Sequence, residues 1–109
     1  MSQIKRIVRM EFAADKVQDF LRLFDRVQSK IRRSEGCLHL ELCRDANNAN
    51  IYFTFSIWDS EQDLERYRAS DLFAVTWKET KTFFNGKPEA FSLIEEKIPY
   101  LKKQGITKT

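Results

Sequence analysis

The one histidine of the chain, His39, is followed two residues later by Glu41 within an alternating stretch that predicts a β-strand. An imidazole titrates near neutral pH, so a histidine beside a carboxylate could act as a general acid or base. A strand histidine that only satisfies a structural hydrogen bond looks the same in sequence. His39 is therefore a candidate catalytic residue, with a structural role as the alternative.

An aromatic pocket is the second chemical feature that the sequence suggests. Trp58 ends the next predicted strand and shares its parity with Tyr52 and Ser56, so one strand face would carry all three side chains. Tyr67 lies in the following predicted helix and would reach the rim of a pocket beside Trp58. Ordinary core packing would produce the same aromatic pattern.

Two arginines could neutralise an anionic ligand group such as an enolate, a carboxylate or a phosphate. They are Arg9 on the first predicted strand and Arg68 in the short helix, and solvated surface positions are the alternative for both. One His and two Cys do not supply the convergent ligands of a zinc site, so no metal is expected. The glycines are isolated, so no glycine-rich phosphate loop is expected either.

The spacing of apolar side chains predicts the elements that must position these residues. Alternation predicts strands at about 4–12, 37–45, 51–58 and 89–96, and spacings of three and four residues predict helices at about 17–33, 60–67 and 71–84. Gly36 can take a positive φ where the first helix stops, and Asn47 with Asn48 favours a hairpin turn. The order β-α-β-β-α-β is typical of a ferredoxin-like α+β fold with an antiparallel sheet.

Neither face of the predicted hairpin is fully polar. We expect Leu40 to share an apolar face with Phe53 and Phe55, and His39 to share a mixed face with Trp58. Helices on one side of an open sheet leave the other side exposed, so we expect a homodimer in which two sheets pack face to face. Alternatively, the tail of the chain or a different partner covers this side of the sheet.

Composition indicates a small domain with one core. With 109 residues, 42% of them hydrophobic, we expect a single domain at 1–98 and a basic tail at 99–109. The formal charge is only +3, and acidic residues alternate with basic ones, which disfavours nucleic acid as a partner. We expect neither a signal peptide nor a membrane span, because charges interrupt the apolar stretch at the start and no segment approaches the ~18 apolar residues of a span. Cys37 and Cys43 share a parity and lie too far apart to bridge, which predicts reduced thiols and a cytoplasmic location.

Three short motifs resemble the antibiotic biosynthesis monooxygenase-like (ABM) family of dimeric α+β barrels, over nearly the whole chain. They are Gly36-Cys37, Trp58-Asp59-Ser60 and Ser70-Asp71-Leu72-Phe73. The resemblance implies an oxidoreductase, a cofactor-independent monooxygenase acting on a small aromatic substrate of the quinol or polyketide type. On this interpretation His39 and Tyr67 are the predicted catalytic residues, and the predicted substrate-binding residues are Trp58, Ser56, Tyr52, Arg9 and Trp77.

The chain departs from the family pattern where polar chemistry is expected. Many members carry Glu two residues before the strand-three Trp and His in the first short helix, whereas this chain has Ser56 and Tyr67. Trp77 stands where haem-degrading members have an iron-ligating His, and an indole does not coordinate iron, so haem degradation is not expected. These departures favour an alternative function, a non-catalytic dimer of the same fold that binds a small molecule. An isomerase of a small phosphorylated metabolite is a third possibility, which the scattered arginines disfavour.

Overall fold

The computed structural model describes residues 2–98, so the predicted basic tail at 99–109 lies outside the described residues. The strands are β1 (Ile4–Glu11), β2 (Cys37–Arg44), β3 (Ile51–Trp58) and β4 (Glu89–Leu93). The helices are α1 (Val17–Arg32), α2 (Glu61–Arg68) and α3 (Asp71–Lys81), and one 3-10 turn at Ala14–Lys16 leads into α1. Within this part of the chain, no helix is long and apolar enough to cross a membrane.

The four strands form one antiparallel sheet in the order β2-β3-β1-β4. This arrangement confirms the predicted ferredoxin-like α+β fold. Helix α3 ends at Lys81, before the two phenylalanines that the apolar spacing had included in it. The reason is tertiary, because Phe84 already forms an antiparallel bridge with Phe12 beside the sheet.

Serine caps fix where α2 and α3 begin. The Ser60 hydroxyl accepts a hydrogen bond from the Asp63 amide and donates one to the Asp63 carboxylate, at 3.2 and 2.9 Å. The Ser70 hydroxyl accepts from the Phe73 amide at 3.1 Å. Such caps satisfy amides that the first turn leaves without a helical partner. The short helix α2 therefore begins at Glu61, within one residue of the start that the apolar spacing predicted.

The buried core is divided into two clusters, between the sheet and the helices. The first cluster contains Met10, Phe12, Val17, Phe20 and Tyr52. The second contains Ile4, Trp58 and Leu64, with Cys37 and Tyr67 packed against it. Side chains from both clusters point into the space between them, which is where the candidate site lies.

The pairing of β2 with β3 corrects the predicted faces of the hairpin. His39 lies opposite Ile57 and Leu40 lies opposite Ser56, and directly opposed residues share a face. The prediction that His39 shares a face with Trp58 is therefore wrong. A shift of one residue exchanges the two faces of a strand, and the turn between β2 and β3 sets that register.

A β-bulge between Cys37 and His39 corrects the prediction for the cysteines. Cys37 pairs with Trp58 and packs in the second core cluster, whereas Cys43 pairs with Phe53 on the other side of the sheet. The extra residue reverses the alternation of the strand, so the two thiols lie on opposite faces. Both cysteines are free. The cytoplasmic location stays a prediction.

Candidate functional site

A cavity of about 290 Å³ lies between the helix-facing side of the sheet and the three helices. Met10 and Phe20 of the first core cluster and Trp58 and Leu64 of the second line it. We call it the central cavity. Its size is at the lower end of the range for ligand-binding pockets, so it suits a small molecule.

Four aromatic residues form one side of the central cavity, and we call them the aromatic wall. They are Trp58, Tyr67, Phe73 and Trp77. Trp58 stacks on Tyr67 with ring centroids 5.0 Å apart, Tyr67 meets the edge of Phe73 at 5.3 Å, and Phe73 stacks on Trp77 at 5.9 Å. The predicted aromatic pocket is therefore present, and α2 and α3 supply more of it than the strand does.

Trp58 anchors the aromatic wall to the sheet. Only 1% of its surface is exposed, and its Nε1 donates a hydrogen bond to Ser56 Oγ at 3.0 Å. This bond satisfies the buried indole N–H and leaves the Ser56 hydroxyl hydrogen to donate elsewhere. Ser56 also lines the cavity. Trp58 and Ser56 therefore place an apolar ring and a hydroxyl donor side by side on the cavity surface.

Burial makes the Tyr67 phenol even harder to ionise than an exposed one, so it remains a hydrogen-bond donor. Desolvation raises the pKa of its phenol to about 12, and the neighbouring Cys37 thiol adds to the shift. A phenol with this pKa stays protonated at neutral pH. Tyr67 can therefore donate a hydrogen bond to an oxygen of a bound molecule.

Two arginines line the central cavity, Arg6 from β1 and Arg68 from the end of α2. Burial lowers the pKa of Arg6, the positive charge of Arg68 lowers it further, and Glu65 opposes both effects. Arg68 was considered from the sequence, whereas Arg6 was missed. The sequence did contain a signal for Arg6, which shares the parity of the apolar residues Ile4 and Val8 and so lies on the same, helix-facing side of β1.

Two predicted substrate-binding residues lie away from the central cavity. Tyr52 is buried in the first core cluster, with ring centroids 6.1 Å from those of Phe12 and Phe20. Arg9 lies on the opposite side of the sheet and forms ion pairs of 4.0 and 3.8 Å with Glu11 and Glu89. Neither Tyr52 nor Arg9 lines the central cavity, and their predicted role in binding substrate stays a prediction.

His39 also lies outside the central cavity, on the exposed side of edge strand β2. Its Nε2 is 2.7 Å from Glu41 Oε1, and the Cys43 thiol donates to Glu41 Oε2 at 3.3 Å. The bond from His39 and then the one from Cys43 lower the pKa of Glu41. The predicted pairing of His39 with Glu41 exists, but neither residue lines the central cavity.

The titratable groups that line the central cavity are Arg6, Tyr67, Arg68 and Glu89. The side chain of Glu89 is 57% exposed and pairs with Arg9, so it is not directed at the aromatic wall. Among residues 2–98, no cluster of three or more metal-ligating side chains occurs. The cavity thus offers an aromatic surface, hydroxyl donors and guanidinium groups.

Solved structures with the same fold share little sequence identity with the chain. A conserved protein from Methanosarcina mazei Go1 superposes with a TM-score of 0.84 at 20% identity, over 88% of this chain and 95% of that one. A Caulobacter crescentus protein proposed to be an antibiotic biosynthesis monooxygenase superposes with a TM-score of 0.83 at 18% identity, over 88% of this chain and 92% of that one. A Mycobacterium tuberculosis protein superposes with a TM-score of 0.81 at 17% identity, over 90% of this chain and 99% of that one. No curated protein matches the chain.

The family is shown by the sequence itself. The profile of the family described as Antibiotic biosynthesis monooxygenase matches residues 3–79. That range contains β1 to β3, α1, α2 and most of α3, which carry the aromatic wall and both cavity arginines. The chain therefore belongs to the antibiotic biosynthesis monooxygenase family.

Proposed function

We propose that the chain is a monooxygenase that oxidises a small aromatic molecule of the quinol or polyketide type, without a metal or organic cofactor, in the central cavity. The observation that carries the proposal is the aromatic wall of Trp58, Tyr67, Phe73 and Trp77 around a cavity of about 290 Å³. A flat aromatic substrate can stack against such a wall. Membership of the family supports an oxygenase activity.

The reaction needs no external reductant because the substrate supplies the electrons. A deprotonated aromatic molecule passes an electron to dioxygen, and one oxygen atom then bonds to the ring carbon. For a ring CH₂ group, one oxygen atom becomes the new carbonyl, and the two hydrogens leave with the other oxygen as water. The protein binds the anion, orients it and excludes water from the reacting carbon.

Tyr67 and Ser56 are the polar groups that would act on the substrate beside Trp58. Tyr67, with its pKa raised to about 12, donates a hydrogen bond to the phenolate oxygen of the substrate. The Ser56 hydroxyl, which accepts from Trp58 Nε1, donates a second one. Both bonds strengthen as negative charge develops, so they favour ionisation of the substrate.

Oxygen uptake with a panel of quinols and anthrones tests the activity. We expect uptake with the wild-type protein and a decrease in kcat of about tenfold to hundredfold for Tyr67→Phe, because this change removes only the donor to a charged oxygen. Arg22→Gln is the control, because Arg22 is exposed on α1 and outside the cavity, and we expect its kcat to match the wild type. We expect the same of His39→Ala, because His39 also lies outside the cavity. No uptake with any substrate, or a loss that follows His39 instead of Tyr67, would contradict the proposal.

The alternative function, a non-catalytic protein that binds a small aromatic molecule, also has an observation in its favour. The described residues that line the cavity include no histidine, and the one carboxylate among them, Glu89, pairs with Arg9 at 3.8 Å. The described residues that line the cavity therefore include no positioned proton acceptor. A ligand that raises the melting temperature of the protein without being consumed would favour this alternative.

We also propose that the protein is a homodimer formed through the side of the sheet that the helices leave uncovered, which we call the open face. Its apolar residues are Ile7, Phe53, Phe55, Ile57, Phe91 and Leu93. Phe91 and Leu93 are 50% and 47% exposed, which is unusual for large side chains in a sheet. A second copy can cover this surface about a two-fold axis, because the same patch then meets itself.

Light scattering after gel filtration tests the dimer. We expect twice the chain mass for the wild type and a shift to the monomer mass for Phe55→Glu, which places a charge in the middle of the open face. Val75→Glu is the control because Val75 is 68% exposed on α3, away from the sheet. A wild-type monomer would contradict the proposal, and so would a Phe55→Glu dimer. A monomer that dimerises when residues 99–109 are removed would show that the tail covers the face.

A further inference from the structure

Arg6 occupies a position where a charge is costly. It lies on the helix-facing side of β1 between Ile4 and Val8, and it lines the central cavity. A guanidinium group remains protonated at any physiological pH, so it cannot avoid the cost of partial burial by losing its proton. A buried cation is normally compensated by a carboxylate.

Arg6 has no such carboxylate within residues 2–98. Its Nη1 donates to Ser92 Oγ at 2.9 Å, and Glu65 acts on it only as a more distant charge. Each of five other arginines has a carboxylate oxygen within 4.0 Å; these are Arg9, Arg22, Arg26, Arg66 and Arg68. Arg32, Arg33 and Arg44 also have no carboxylate within 4.0 Å among residues 2–98, but they do not line the cavity. Of the two cavity arginines, Arg6 is thus the one whose positive charge is left for a ligand.

Hydrogen-bond donors flank Arg6 on both neighbouring strands. Ser56 of β3 and Ser92 of β4 lie directly opposite it in the antiparallel registers. The two hydroxyl oxygens accept from Trp58 Nε1 and Arg6 Nη1, so each hydroxyl hydrogen is left to donate. The proposed reaction uses the Ser56 hydrogen for the phenolate oxygen, so the receptor for a second, planar oxyanion is the Arg6 guanidinium, which the hydrogen bond to Ser92 holds in place.

The local charge indicates a ligand with one negative charge. Arg68 pairs with Glu65 at 3.1 Å, so its charge is largely balanced, and Glu89 is balanced by Arg9. Arg6, with a single positive charge, is therefore the cavity cation without a carboxylate partner among residues 2–98. A carboxylate matches this charge, whereas a phosphate monoester would bring close to two negative charges.

We propose that Arg6, supported by Arg68, forms an anion subsite in the central cavity that binds the carboxylate of a small aromatic acid whose ring lies against the aromatic wall. The inference rests on the proposed function, in that it assigns the substrate class of the same cavity. The lowered pKa of Arg6 agrees with it, because burial and the charge of Arg68 both disfavour the bare cation. A bound carboxylate would remove that penalty.

Calorimetric titration with three probes tests the subsite. The probes share the same naphthalene ring system and differ in charge: 2-naphthoate, its neutral amide 2-naphthamide, and 2-naphthyl phosphate. We expect the wild type to bind naphthoate more tightly than the other two. Arg6→Gln should weaken naphthoate binding about tenfold to hundredfold, because a charge-assisted hydrogen bond is lost, and should leave naphthamide binding within about twofold. Arg6→Lys keeps the charge and should retain more naphthoate affinity than Arg6→Gln.

Arg22→Gln is the matched control, since it removes an arginine that is 67% exposed on α1 and outside the cavity. Its affinity for all three probes should equal that of the wild type. Equal wild-type affinity for naphthoate and naphthamide would overturn the subsite while leaving the cavity as a ligand site. Tighter binding of the phosphate would overturn the assignment to a carboxylate. Naphthoate binding that depends on Arg6, without oxygen uptake from any substrate, would support the subsite and contradict the oxygenase.

Discussion

Replacing Trp58 with alanine is expected to reduce the free energy of unfolding by about 3–5 kcal/mol, the range for removing a large buried aromatic side chain. The Trp58 side chain is 1% exposed and packs with Ile4 and Leu64, so its loss leaves a void in the second core cluster. The void opens next to the central cavity, so the cluster can recover little of the lost contact by collapsing. The loss also removes the stacking partner of Tyr67.

Urea denaturation followed by circular dichroism measures the Trp58→Ala effect. The matched control is Trp77→Ala, because Trp77 belongs to the same aromatic wall but is only half-buried. We expect the control to lose about half as much stability or less, in proportion to the apolar area that it buries. Equal losses for the two variants would contradict the assignment of Trp58 as the anchor of the wall.

Replacing Gly36 with alanine is expected to reduce the free energy of unfolding by about 2–4 kcal/mol, from left-handed backbone strain and lost hydrogen bonds. Gly36 has a φ of +82°, and a Cβ at this position would overlap the Asp63 side chain. Asp63 cannot move freely, because Arg66 Nη1 donates to it at 2.6 Å and Ser60 Oγ at 2.9 Å. Alanine would therefore disturb the start of α2, which carries Tyr67.

Gly86→Ala is the control for that substitution, measured in the same denaturation experiment. Gly86 is not in the left-handed region, and its nearest neighbour would be Glu11 Oε1 at 3.3 Å, the end of a flexible side chain. We expect a change of less than about 0.5 kcal/mol, which is typical of surface substitutions. A Gly36→Ala protein as stable as the Gly86→Ala protein would show that the close approach of Gly36 to Asp63 has no energetic consequence.

Local patterns predicted the order of the elements well, because each has a clear period or cap. The helices predicted at about 17–33 and 60–67 were confirmed as α1 and α2, and serine caps fix where α2 and α3 begin. The face of β2 could not be predicted in the same way. Alternation shows that each strand has two faces. Only the pairing of His39 with Ile57 shows which face of β2 lies on the same side of the sheet as which face of β3.

The residues of the candidate site were predicted only in part, because sequence alternation identifies the face of a strand but not the position of a cavity along it. Trp58, Ser56, Tyr67 and Trp77 all line the central cavity, as the aromatic pattern and the family motifs suggested. Tyr52 shares the parity of Trp58 but lies near the other end of β3, where the first core cluster encloses it. Parity gives the face of a strand and not the position of a cavity along it.

Oxygen uptake by a protein whose central cavity has been filled tests the main claim most directly, which is that oxidation takes place inside the cavity. Thr54 lines the cavity from β3, and Thr54→Phe would place a ring in the empty space without removing the aromatic wall. The control is Val75→Phe, at a position 68% exposed on α3. We predict that both variants keep the wild-type fold by circular dichroism, and that Thr54→Phe alone loses at least about tenfold in kcat/KM, since a filled site excludes the substrate. Undiminished uptake by a folded Thr54→Phe protein would contradict the claim.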